Sequence, residues 1–484
     1  GAVVDDCVPV RIFGEGGFSD AALDYVNATI RVTDQNRQQD FLAFMSGELW
    51  DFWGAGPIGF AVGVESRKES TSGTGRDRDT AGRLLFLNSG PDFPAVSYET
   101  REAFMELRVP LFQDSWLGKS AEISGAYRTA DYTTVGIQDT YSIQASWRPI
   151  DDLLFRFTQN TAIRVPDLGE LYEPAGETFR NFLGNDPCVV TVINAVADPT
   201  IQANRRANCR ALSLAAGFNF SFNDPSAPDA FQPTYSTAGT SGLAGGNPFL
   251  VPETSDSFTA SVVWTPSYFP NFSLVLDYYK IEIDDAIDTT TGLQNIVQCV
   301  NGNTINQAAC DTITRDPTTW MVSSFIEGSL NYAKLTAEGV DFSAKYRFDI
   351  VDVIGQDWGR VNWNLRGSYT IEQHDFVNIG DPTDSTDFED GLGMPYVRFL
   401  STVAWQPSDR LTLSWDWDWQ GSQEIADVDA LVANLDLRPS RKYLETGDFS
   451  QHDFTLAYQV TDDLRVRAGV VNAFDAEPAR WLGR

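Results

Sequence analysis

The chain has 484 residues, 42% hydrophobic and 12% aromatic, and 67 acidic against 35 basic residues give a formal net charge of −32. Nucleic acid is not expected as a partner, because binding it needs a basic footprint. Disorder is excluded by 31 Phe, 16 Tyr and 13 Trp, since disordered chains are poor in aromatics. The acid must therefore sit on something wet and the aromatics on something dry. No run of about 18 apolar residues occurs, so a transmembrane helix is not expected. Residues 1–9 carry neither the basic nor the apolar region of a signal peptide.

Alternation of apolar and polar residues with period two is the dominant pattern, and it predicts strands in chain order. The first four are expected near 38–52, 57–69, 97–112 and 120–132, followed by 137–148 and 153–164. In 137–148, Ile143, Ala145 and Trp147 share one face and Ser142, Gln144 and Ser146 the other. A long connection, about 165–253, precedes strands at 254–265 and 272–285, and a second, about 286–330, precedes 331–348 and 360–373. After a third, about 374–394, come 395–405 and 411–421. In the latter, Leu411, Leu413, Trp415, Trp417 and Trp419 oppose Thr412, Ser414, Asp416, Asp418 and Gln420. A fourth long connection, about 421–450, leads to the last pair, 450–460 and 464–472. The total is about 14 strands, each of the length a tilted transmembrane strand needs.

One strand with an apolar face would suit a soluble core equally well, so the connections decide. Those at 54–56, 113–119, 149–152, 266–271, 406–410 and 461–463 are tight, and 349–359 is moderate. The connections between them are long, except 133–136. Outer-membrane barrels keep tight turns on the periplasmic side and long loops outside. A soluble sandwich or propeller has no reason to hold that parity. The reading is an all-β chain, a transmembrane antiparallel barrel whose closure satisfies every backbone group in lipid. Trp415, Trp417 and Trp419 are expected as part of its lipid-facing aromatic belt.

Several stretches resemble the TonB-dependent receptor family. FTQNTAIRVPDLGELYEP (157–174) is similar to the family's Arg-x-Pro-x-x-x-Glu-Leu segment, carried here by Arg164, Pro166, Glu170 and Leu171. GNPFLVPE (246–253) resembles the family's approach to the next strand, and DYYKIEIDDAI (277–287) and NYAKLTAEGVDFSAKY (331–346) resemble the two that follow. AGVVNAFDAEP (468–478) resembles the Asn-Leu-Phe-Asp stretch near the family's C-terminus, with Ala473 in place of Leu. The resemblance runs through nearly the whole chain. It implies a barrel of 22 strands around an N-terminal plug, with the 14 here corresponding to strands 8 to 21. Neither the plug nor a TonB box is found in the sequence, so 1–484 is expected to be an incomplete barrel domain. The implied function is import of a scarce nutrient with energy from the TonB–ExbB–ExbD complex, reached through the missing N-terminal part. Outer-membrane lipid, lipopolysaccharide, a small extracellular ligand and a surface lipoprotein are the implied partners.

Within the loops, Cys188 and Cys209 lie close in sequence, as do Cys299 and Cys310, and two local bridges would fit an oxidising compartment. Cys7 is left over and suggests a partner upstream. Tyr172, Phe179, Phe182, Trp320 and Phe325 could stack on a flat or sugar-like ligand, or pack the loops on one another. Arg164, Arg180, Arg205 and Arg206 could hold an anion, or pair with the abundant carboxylates. Asp381, Asp384, Asp387 and Asp390 offer the hard oxygens of a Ca²⁺ site, though their spacing also suits a solvated acidic loop. No other cofactor is expected. With His374 and His452 the only histidines, neither a catalytic constellation nor haem ligation is expected. The loops favour a neutral ligand such as an oligosaccharide over a siderophore. The competing readings are a passive porin-like or structural barrel, and a secreted carbohydrate-binding protein.

Overall fold

The computed structural model describes residues 8, 18–27, 31–77, 91–376, 386–388, 390–424 and 445–478. A short helix α1 (Asp20–Val26) is capped by Ser19, whose side chain accepts from the Ala22 N–H. Six strands follow: β1 (Thr33–Glu48), β2 (Gly59–Thr74), β3 (Phe93–Ser115), β4 (Gly118–Tyr132), β5 (Gly136–Ile150) and β6 (Leu153–Arg164). The connection 165–252 holds α2 (Leu168–Tyr172), β7 (Gly176–Arg180), α3 (Val190–Ala195), α4 (Pro199–Ala215) and β8 (Thr240–Gly245). After β9 (Glu253–Trp264) and β10 (Phe272–Thr290), the connection 291–321 holds α5 (Gly292–Asn301), α6 (Gln307–Asp311) and β11 (Ile313–Arg315). The rest is β12 (Val322–Asp349), α7 (Val351–Ile354), β13 (Arg360–Phe376), the two-residue β14 (Thr386–Asp387), β15 (Val397–Ser408), β16 (Leu411–Gln420), β17 (Phe449–Gln459) and β18 (Arg465–Val470).

Fourteen of these strands form one antiparallel meander, each paired with its neighbours in chain order: β1 to β6, then β9, β10, β12, β13 and β15 to β18. They lie within a few residues of the predicted strands, apart from β12, which begins nine residues early. Among the described residues no strand pairs with the free edge of β1 or of β18, and every residue of both is exposed. No described helix is long and apolar enough to cross a membrane. The connection parity is kept: 116–117, 151–152 and 409–410 turn at one end, and the long connections all leave the other.

The two faces of the wall differ as a lipid-facing barrel requires. On β10 the outward positions read Leu274, Leu276 and Tyr278, and across the register Leu276 meets Val262 on one side and Phe342 on the other. Near the tight turns the outer face carries an aromatic girdle, with Trp147 on Phe155 (5.8 Å), Trp264 on Phe272 (5.7 Å) and Phe269 on Tyr346 (4.4 Å). Nearer the long loops, Phe258 and Tyr278 (6.3 Å) begin a second girdle, and Phe399 with Trp417 (4.8 Å) and Trp419 (5.2 Å) continues it. Beyond Tyr278 the outer face becomes charged at Lys280, Glu282 and Asp284, bridged by Lys334. The wall thus rises past its apolar band. The inner face is polar: Asp277, Asp341, Arg366, Ser368, Arg398 and Asp418 line a basin of about 540 Å³.

Trp415, Trp417 and Trp419 stand on the outer, apolar face. The Trp415 and Trp417 rings lie nearly parallel, 6.2 Å apart. Their polar N–H groups do not go unmatched: Trp415 Nε1 donates to His452 Nδ1 (3.1 Å) and Trp417 Nε1 to Ser450 Oγ (2.8 Å). Such internal partners keep indole donors satisfied where lipid offers none.

Candidate functional site

The two longest connections, 165–252 and 291–321, fold together into a cap at the long-loop end. Its core is a continuous apolar cluster, with Phe182, Ile193, Phe231, Ile296, Trp320 and Phe325 almost wholly buried. The two sequence-predicted disulfides are formed, Cys188–Cys209 (Cα–Cα 5.6 Å) and Cys299–Cys310 (4.8 Å), and their half-cystines join this core. Helix geometry explains the placement. The Thr291–Gln294 capping box starts α5 and turns Ile296, Cys299 and Val300 inward, while the Asp198 cap and Pro199 start α4, which carries Cys209.

An ion pair at the centre of the core ties one connection to the other. Arg315 holds the Asp186 carboxylate through Nη1 (2.9 Å) and Nη2 (3.0 Å), and the Tyr235 hydroxyl donates to the same carboxylate (2.6 Å). The Arg315 guanidinium lies 4.1 Å from the Trp320 ring centroid, and the Tyr235 oxygen accepts from the Val322 N–H (3.0 Å). Burial alone would raise the Asp186 carboxyl, but the Arg315 charge and the hydrogen bonds from Arg315, Tyr235 and the Cys188 N–H hold it below the usual carboxylate range. Burial pushes the Tyr235 phenol upward, aided by the adjacent Asp186 charge. With both Asp186 oxygens, both terminal Arg315 nitrogens and the Tyr235 hydroxyl matched, the network is a structural bolt.

Several proposed ligand contacts take other roles here. Phe182, Trp320 and Phe325 are 0%, 3% and 1% exposed, which corrects their assignment as ligand-stacking rings: they pack the cap. Arg180 is held by Glu327 through Nε (3.0 Å) and Nη2 (2.7 Å), and Glu327 also accepts from the Gly292 N–H (2.9 Å). Arg205 is buried and donates to Asn301 (2.7 Å), and Arg206 donates to Asn194 (2.8 Å) and Gln202 (3.2 Å). Phe179 remains exposed and Tyr172 half-buried. Of the candidate Ca²⁺ ligands, Asp381 and Asp384 lie outside the described residues. Asp387 reaches His374 Nε2 (3.3 Å), and burial raises the Asp390 carboxyl. Among the described residues no group of three side chains is arranged to hold a metal.

Two sequence blocks, 157–174 and 246–253, interlock between cap and wall. Arg164, the last residue of β6, grips Glu253, the first of β9, with two 2.7 Å bonds, and holds both Glu170 oxygens at 3.0 Å. Glu170 closes the Asp167 capping box of α2. The Glu170 and Glu173 carbonyls then accept from the Asn247 (2.7 Å) and Gly246 (2.8 Å) N–H groups. A Cβ at Gly246 would lie 2.6 Å from the Glu173 nitrogen, so only glycine fits. Arg164, Glu170, Gly246 and Glu253 therefore form a clasp in which one guanidinium bridges two carboxylates. An apolar cleft of about 330 Å³, bordered by Leu243, Phe249 and Ile326, opens beside it.

A curled antiparallel meander with an apolar outer band, a polar inner face and all long loops at one end is an outer-membrane β-barrel. The family model described as "TonB dependent receptor-like, beta-barrel" matches residues 10–473, and the chain belongs to that family. Members are outer-membrane transporters that bind small ligands and interact with TonB. Among solved structures, the siderophore receptor PirA of Acinetobacter baumannii is similar at a TM-score of 0.54 and 14% identity, over 91% of this chain and 51% of that one. A ferric enterobactin receptor, PfeA of Pseudomonas aeruginosa, is similar at 0.54 and 12%, over 91% and 49%. PirA of Pseudomonas aeruginosa gives 0.51 and 14%, over 91% and 54%. At these identities the likeness is one of fold, and the chain spans about half the length of these structures. Among curated proteins, none matches the chain in sequence.

Proposed function

We propose that this chain supplies the barrel and ligand-capturing loops of an outer-membrane receptor that imports a scarce nutrient with energy transmitted by TonB. In this reading the tight turns face the periplasm and the cap faces outside. The supporting observation is the cap itself: a disulfide-bonded unit with its own core, seated where a passive pore would leave an open mouth. Connections of this length are functional when they are ordered.

The ligand favoured is neutral and hydroxyl-rich, an oligosaccharide in the first instance. Arg164, Arg180 and Arg315 are each committed to carboxylates, which leaves those cap cations no charge to offer an anion. The structural neighbours, by contrast, are siderophore receptors, so ferric enterobactin is the comparison probe. Cells producing the full-length protein should take up labelled maltohexaose more than ferric enterobactin, and lose uptake when the energising complex is deleted. Uptake that persists without that complex, or a constantly open large conductance in planar bilayers, would overturn the receptor reading in favour of a porin. Energised uptake of ferric enterobactin alone would overturn only the ligand class.

A further inference from the structure

The tight-turn end of the wall is not uniformly polar. Connections 151–152, 409–410 and 461–463 read Asp-Asp, Asp-Arg and Thr-Asp-Asp, as turns that meet water should. Connection 350–359, between β12 and β13, is longer and carries Ile350, Val351, Val353, Ile354 and Trp358. Its helix α7 has no buried residue, and Val351, Val353, Ile354 and Trp358 are each 42–65% exposed.

This exposure is not looseness. Arg360 Nε donates to Asp349 Oδ1 (2.9 Å) across the neck of the connection, and the Ile350 N–H donates to the Gly359 carbonyl (2.8 Å). Gly359 has a φ of +82°, and a Cβ there would lie 1.8 Å from the Gln406 carbonyl oxygen, so its backbone sits hard against β15. Gly355, in the left-handed region, ends α7 and donates its N–H to the Val351 carbonyl (2.9 Å). A fixed backbone therefore presents an apolar tip.

Its neighbours identify what covers that tip. Trp405 pairs with Leu413 and so shares the outer face of Trp415, and its Nε1 donates to the Trp358 carbonyl (2.8 Å). Phe348, just before the connection, stacks on Tyr346 of the girdle (4.9 Å). The connection thus continues the lipid-facing surface. The turn 116–117 repeats the device: Trp147 Nε1 donates to the Leu117 carbonyl (3.0 Å), and Trp116 is 92% exposed. A soluble protein partner would need the tip of 350–359 to stand clear of the membrane, whereas the Trp405 bond draws it back to the girdle. Among the described residues no group accepts from the Trp358 indole N–H, and phospholipid ester and headgroup oxygens are acceptors at that depth.

We infer that connection 350–359 is a membrane foot: α7 lies in the phospholipid headgroup layer at the tight-turn end, with Val351, Val353 and Ile354 entering the acyl boundary, and it sets the depth of this side of the barrel. The inference rests on the barrel and not on what it imports. In the full-length protein labelled with fluorotryptophan and held in phosphatidylcholine nanodiscs, the Trp358 and Trp417 fluorine resonances are assigned by their loss in Trp358→Phe and Trp417→Phe. Two relaxation effects are then compared at Trp358. One comes from phosphatidylcholine spin-labelled high in its acyl chain, scaled to Trp417, and the other from a soluble gadolinium chelate, scaled to free fluorotryptophan. The lipid effect should exceed the chelate effect about threefold or more. A chelate effect as large as the lipid effect would place the tip in water, and no effect from either would place it under protein; both overturn the foot. Val353→Asp combined with Ile354→Asp should raise the chelate effect about threefold or more, and an unchanged effect would overturn the seating of α7. Should that double variant not fold, the unsubstituted protein decides alone.

Discussion

The barrel wall and the cap are built from the same chain by opposite means. The wall has little interior of its own. Its strands are fixed by ladder hydrogen bonds, and its large apolar side chains, such as Leu276 and Trp415, stay exposed on the outer face. The cap encloses an aromatic core, two disulfides and a buried ion pair within irregular backbone. In lipid the surrounding hydrocarbon substitutes for a core, so a wall needs only paired edges and an apolar face. In water a long loop must enclose its own apolar surface to remain ordered. Damage should accordingly stay local to one region.

The largest separation is expected from Asp186→Ala. It leaves Arg315 charged and unpaired in the cap core, a loss of about 3–5 kcal/mol. Cap peptides should exchange freely while β13 stays protected; equal loss in both would show one cooperative unit. Replacing Cys188 and Cys209 by serine should remove about 3 kcal/mol in the chain-entropy view, read as a lower urea midpoint of cap peptides in pulsed exchange. On the wall, Leu276→Arg places a charge on the lipid face at a cost of about 2–4 kcal/mol, whereas Ser343→Arg on the inner face should assemble normally. Measured by folding into lipid vesicles, equal effects would refute the assignment of faces.

The mildest probe is acid. The folded cap holds the Asp186 carboxyl below its ordinary range, so the unfolded chain binds that proton more tightly. This contribution is complete above about pH 4, the unfolded value, and is lost as pH falls through the lower folded value. The cap's urea midpoint should be flat from neutrality to about pH 5 and decline below pH 4, and Asp186→Asn should abolish that particular decline.

The difference between the regions also explains what was legible in the sequence. Wall strands announce themselves because a two-residue period is local, and Leu411 to Gln420 can be read without knowing any neighbour. The bridges Cys188–Cys209 and Cys299–Cys310 were legible for the same reason, being close in sequence. The cap was not. Its bolt joins residues 129 apart, and α3 and α6 span 6 and 5 residues, too short to persist without the core they meet. Aromatic residues in a loop look alike whether they face ligand or core, so the sequence leaves both roles open for Phe182, Trp320 and Phe325, and only the fold shows that packing claims them. The family-like blocks were visible as patterns, but nothing in the linear order says that Arg164 and Glu253 grip each other. The early start of β12 is not legible because residues 322–328 pair with the cap strands β11 and β8 and follow the cap's demands.

That strand carries a consequence for assembly. β12 runs 28 residues, about 90 Å at strand rise, and serves as a stave of the wall at one end and as cap core, through Val322 and Phe325, at the other. A slip of one residue against its partners reverses the direction of every side chain along it. One strand thus carries both the ladder that fixes the wall and, through Val322 and Phe325, part of the centre of the cap.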